Sequence, residues 1–84
     1  MKTVYKYNLA STDVQELILP AGAVILSVEE QYGDIVLYAL VDTEEAKMQP
    51  RTIYIHGTGH EVYGEYFIGT VKLLEGSLMF HVFC

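Results

Sequence analysis

Ile35-Val36-Leu37-Tyr38-Ala39-Leu40-Val41 is the stretch that decides the fold. It is too short for a buried helix, and its β-branched and aromatic members favour a strand. Alternate side chains of a strand point to opposite faces. Ile35, Leu37, Ala39 and Val41 then share one face, and Val36, Tyr38 and Leu40 share the other. Both faces are apolar, so the pattern predicts a central strand covered on both sides. Tyr32-Gly33-Asp34 precedes it and Ala23 to Gln31 runs before that. Two such runs around a short glycine-containing link predict a hairpin.

The pattern repeats on either side. Val4 to Leu9 and Val14 to Leu19 alternate, separated by the turn cluster Ser11-Thr12-Asp13, and Pro20-Ala21-Gly22 closes the second run. Proline presets φ and glycine admits φ > 0, which predicts a tight turn. Thr43 to Pro50 breaks the alternation; Thr43 to Met48 reads as one helical turn capped by Asp42 or Thr43, or as a solvated loop. Strand character resumes in Arg51 to His56, in Glu65 to Leu73 with an indentation at Gly69, and in Ser77 to Phe83 after the Glu75-Gly76 turn. The expectation is all-β: a single domain over residues 1–84, a small antiparallel sandwich or barrel of about seven strands.

Composition restricts the partners. An apolar fraction of 51% is enough for one core in 84 residues, and the chain is not disordered by composition. Eleven acidic against five basic residues give a net charge of −6. That argues against long nucleic acids and against anionic membranes, both of which draw on clustered Lys and Arg. The lone Cys84 builds no disulfide framework, the N-terminal residues show no signal-peptide pattern, and no apolar run approaches the roughly 20 residues that cross a bilayer. A cytoplasmic location is the expectation.

His56-Gly57-Thr58-Gly59-His60 is the segment richest in chemistry. Two imidazoles four residues apart are a metal-ligand spacing on a helix, with Glu61, Glu65 and Cys84 as further donors, but here the spacing crosses a glycine turn. The favoured reading assigns no metal and no cofactor. Successive backbone N–H groups of a Gly-Thr-Gly turn form an anion-binding concavity, with Thr58 as a hydroxyl donor. No lysine follows the glycines, so it is not a P-loop. Of the seven tyrosines, Tyr63 and Tyr66 lie nearest this loop, where a phenol ring can stack on a base. Gly57, Thr58, Gly59, His60, Tyr63 and Tyr66 are therefore the candidate ligand-binding residues. His81, within Leu78-Met79-Phe80-His81-Val82-Phe83, reads as a hydrogen-bonded structural group or an interface residue. No serine has a nucleophile-elbow context and no catalytic constellation stands out, so the expectation is a protein that is not an enzyme.

The start Lys2-Thr3-Val4-Tyr5-Lys6-Tyr7, the segments Leu19-Pro20-Ala21-Gly22-Ala23, Ile25-Leu26-Ser27-Val28 and Tyr38-Ala39-Leu40-Val41-Asp42, then Ile55-His56-Gly57-Thr58-Gly59-His60 and Ile68-Gly69-Thr70, and the ending Phe80-His81-Val82-Phe83 together resemble one family. It consists of short proteins of unassigned function encoded by bacteriophages and prophages, and the likeness runs nearly end to end. A typical member has proline where this chain has Glu61, and an acidic residue where it has Cys84. The resemblance implies a phage protein working in the host cytoplasm. By analogy with that setting, it implies a homo-oligomer that sequesters a small anionic nucleotide-type signal, a counter-defence role. The alternative is a structural or interaction accessory that docks on a host or virion protein.

Overall fold

The computed structural model describes residues 1–84. The run that opened the sequence reading forms β4 (Asp34–Asp42), central in a three-stranded antiparallel sheet between β1 (Lys2–Asn8) and β3 (Val24–Gln31). A second antiparallel sheet has four strands in the order β2 (Val14–Pro20), β5 (Met48–Gly57), β7 (Leu78–Phe83) and β6 (Phe67–Leu73). The seven strands make a sandwich, which resolves the choice between sandwich and barrel. One cluster of buried side chains joins the two sheets: Leu37, Ala39 and Val41 from the first, Leu19, Ile53, Val71 and Val82 from the second. No helix is long and apolar enough to cross a membrane.

The second sheet covers only one face of β4. Ile35, Leu37, Ala39 and Val41 pack into the core, while Tyr38 and Leu40 on the opposite face stay half-buried. Val36 on that outer face is nonetheless only 1% exposed. Its neighbours in register are Asn8 and Glu29. Lys6, one pair along β1, sends its Nζ diagonally to Gln31 Oε1 on β3 at 2.7 Å. That route crosses Val36, and the lysine stem shields it.

The β3–β4 hairpin closes on Tyr32 (φ 52°) and Gly33 (φ 86°), both left-handed as a two-residue type I′ turn requires. Along the other flank, β3 and β6 abut at the sandwich seam. A Cβ on Gly69 would stand 3.0 Å from Val28 Cγ2, so the absence of a side chain lets the two sheet edges meet. Both strands carry a register shift near the seam, between Ile25 and Ser27 and between Phe67 and Gly69.

Three boundaries differ from the sequence reading. Thr43 to Lys47 contains no helical turn; Asp42 Oδ1 accepts the Glu44 N–H at 3.0 Å and closes a tight turn before β5 begins at Met48. Glu65 and Tyr66 precede β6 because their amides bond to the Cys84 carbonyl at 2.9 and 3.0 Å. The Glu75-Gly76 turn takes in Leu74 as well: all three residues have positive φ, and the Ser77 N–H closes this left-handed turn on the Leu74 carbonyl at 3.0 Å.

The turn at Asp42 gives a pH dependence. The Glu44 N–H bond holds the Asp42 carboxyl below the ordinary carboxylate value, helped by the Met1 amine 3.5 Å away and by Lys2. A lowered native value contributes stability at neutral pH, and that contribution fades as acid titrates the folded group. Urea unfolding should therefore show Asp42→Ala less stable than the parent at pH 7, with the gap narrowing below pH ~4. A gap that stays constant between pH 7 and pH ~2.5 would remove the charge from this account.

Candidate functional site

Alternation along β5 puts Thr52, Tyr54 and His56 on the outer face of the second sheet, opposite Ile53 and Ile55 in the core. An outward histidine would ordinarily be solvated, yet His56 is only 5% exposed. The segment after β5 folds back over it. The Tyr63 N–H donates to His56 Nε2 at 2.9 Å. The imidazole stacks with Tyr54, its ring centroid 6.1 Å away and the planes 9° apart, and packs against Tyr63 and Phe83 at 5.9 and 5.8 Å. The Tyr63 carbonyl oxygen also lies 3.1 Å from Nε2, so the ring fastens to Tyr63 in either tautomer. His56 is thus a peg that fastens the loop, and no three His, Cys, Asp or Glu side chains are grouped to hold a metal ion.

The glycine loop sits beside that peg. The His60 N–H donates to the Gly57 carbonyl at 3.2 Å, closing a turn. The His60 imidazole lies over Gly57, where a Cβ would come within 3.0 Å of the ring. Gly59 takes φ +85° with open space around it. The turn leaves the Thr58 and Gly59 amides without partners in the chain. The Thr58 hydroxyl is committed elsewhere: Thr58 Oγ1 lies 2.8 Å from His81 Nε2, and Thr70 Oγ1 lies 2.9 Å from the same ring's Nδ1. One neutral imidazole satisfies both hydroxyls, one as donor and one as acceptor. Thr58 therefore offers its amide rather than its hydroxyl.

A cleft of about 270 Å³ opens next to the loop, walled by Asp13, Tyr54, His60, Glu61 and Tyr63. A smaller recess of about 110 Å³ adjoins it over Gly57, between Ser11 and Phe80. The Tyr63 hydroxyl donates to Glu61 Oε2 at 3.0 Å, which fixes the ring along one wall. His60 and Tyr63 wall this cleft and Gly57 lines the recess, while Thr58 and Gly59 lie in the adjoining turn and line neither. Tyr66 lies apart. It is 68% exposed and lines a separate apolar groove at the β3–β6 seam with Leu26, Arg51 and Phe67.

Asp13 is the wall residue that sequence reading missed. Ser11-Thr12-Asp13 reads as an ordinary turn. Only the pairing of β2 with β5, which sets Val14 against Tyr54, delivers Asp13 to the cleft, and the Ile55 N–H donates to its carbonyl at 2.9 Å. Gly64 was missed too: its φ of +95° and its contacts with Tyr54, Phe83 and Cys84 make it the point where the loop turns back.

The fold and the site define a small antiparallel β-sandwich whose glycine-histidine loop flanks a shallow polar cleft. Over residues 1–84 the sequence matches the domain of unknown function DUF7352, and the chain belongs to that family. No curated protein and no solved structure matches it.

Proposed function

We propose that this chain is a non-enzymatic binding protein that holds a small anionic ligand of nucleotide type at the Gly57–His60 loop. The pair of unpartnered amides on Thr58 and Gly59, beside the exposed His60 imidazole, carries this reading. Successive free N–H groups at a turn favour an anion. Tyr63 and Tyr54 supply aromatic walls for a base. Asp13 and Glu61 line the same cleft, and two carboxylates there oppose a dense polyphosphate. A single phosphate diester suits the site better, with a carboxylate accepting from the amino group of a base. The resemblance to phage and prophage proteins adds a setting: a homo-oligomer in the host cytoplasm that sequesters a nucleotide signal without turning it over.

Calorimetry with a cyclic mononucleotide and with ATP as probes tests this. The cyclic probe should bind and be recovered unchanged, and ATP should bind more weakly. Gly59→Val should weaken the cyclic probe by at least roughly tenfold, because a β-branched residue does not hold φ +85°. Equal affinity of a folded Gly59→Val protein would place the ligand elsewhere. A second reading, an accessory that docks on a host or virion protein, is favoured by the exposed Val14, Ile18 and Met48 on the second sheet. Recovery of a host protein with the purified chain, and no binding of either probe, would select it.

A further inference from the structure

The outer face of the first sheet is built like an interface. Val4, Leu40 and Val24 stand in one cross-strand row on β1, β4 and β3, and Tyr38 follows in the next row. Val4 and Val24 are 50% and 53% exposed, and Leu40 and Tyr38 are half-buried. This is the second apolar face of β4, and no element of the chain packs on it. Polar groups border it: Lys2 and Asp42 at one end, and Lys6, Asn8, Glu29 and Gln31 at the other. An apolar centre inside a polar border is the anatomy of a protein–protein contact.

We infer that this face packs on the same face of a second copy of the chain. The charges fit self-association. On this face β1 carries the lysines, Lys2 and Lys6, and β3 carries the acid Glu29, on opposite sides of β4. A two-fold axis running along β4 lays β1 of one copy over β3 of the other. Val4 then meets Val24 of the partner subunit, and Leu40 meets Leu40 of the partner subunit. Lys6 reaches Glu29 of the partner subunit, one row away, by exchanging its own-chain bond to Gln31 Oε1, and the pair occurs twice by symmetry. A face of one charge sign would repel its own copy; this one pairs opposite charges on either side of the axis, while Asp34 and Asp42 on β4 meet their own copies at its two ends. The outer face of the second sheet is a poorer candidate, because the Thr58–Tyr66 segment, with Glu61 and Glu65, folds over part of it.

This surface rests on the homo-oligomer part of the proposed function. Light scattering after size exclusion, across a concentration series, tests it. The parent chain should associate through a dimer. A Val4→Glu, Val24→Glu double variant should be monomeric with unchanged circular dichroism, since both side chains are already half exposed. Lys6→Glu and Glu29→Lys should each weaken association by roughly tenfold, and combining them should restore it. An assembly that survives Val4→Glu, Val24→Glu moves the interface to another face and leaves the oligomeric reading standing. A parent chain that stays monomeric overturns both. Failure of the combined swap to restore association overturns the two-fold arrangement.

Discussion

Leu37→Ala should cost about 2–5 kcal/mol, close to the limit that this fold can lose and remain folded. Leu37 is 0% exposed at the centre of β4, and it packs in the cluster that joins the two sheets. Removing it takes away transferred apolar volume and leaves a cavity that stiff strands on both sides fill poorly. Val36, the neighbouring residue, is 1% exposed and looks equivalent by burial alone. It is not equivalent by packing, because Lys6 and Gln31 cover it and no second sheet does. A flexible lysine stem settles into the space that a smaller side chain leaves. Val36→Ala should therefore cost only about 1–2 kcal/mol, near the transfer value of its lost carbons. Equilibrium urea unfolding of both variants checks the pair. Equal losses would mean that the outer face of β4 is as firmly packed as the core.

That contrast also shows how far the sequence carries. The alternation in β4 announced two apolar faces, and both exist. It could not show that a sheet of this chain covers one and a single hydrogen-bonded pair covers part of the other. Strand order is non-local in the same way. β2 pairs with β5 although β3 and β4 lie between them in the chain, and no periodicity in either strand names its partner. Asp13 reaches the cleft through that pairing, which is why it looked like a turn residue. The glycine loop was legible because Gly57, Thr58, Gly59 and His60 are contiguous, and contiguous residues share a turn wherever the turn lies. Tyr66 was misplaced for the opposite reason. Only Gly64 and Glu65 lie between it and Tyr63, but Gly64 reverses the chain and sends the two rings to different grooves. His56 and His60 part likewise, one pegged under Tyr63 and the other lying over Gly57.

Gly64→Val should destabilise the protein by about 3 kcal/mol and release the loop that forms the site. Two independent costs meet at this position. Its φ of +95° is a conformation that a β-branched residue resists, and a Cβ there would lie 2.9 Å from Tyr54 Cδ2, 3.1 Å from the Cys84 carbonyl oxygen and 3.1 Å from Phe83 Cβ. The last two contacts are backbone and near-backbone atoms of the terminal strand region, so they give way only if the strand itself moves. Gly59→Ala is the control. Its φ of +85° imposes similar backbone strain, but nothing stands within 4 Å of the new Cβ, so only about 1 kcal/mol should be lost. The difference between the variants measures the clash. Amide hydrogen exchange locates it: in Gly64→Val the Tyr63 N–H, held by His56 Nε2 at 2.9 Å, should exchange faster by a larger factor than the core amides of β4. If the two glycine variants lose equal stability, or Tyr63 keeps its protection in the Gly64 variant, the loop is not anchored at Gly64. The glycine loop and the cleft beside it would then owe their arrangement to some other contact.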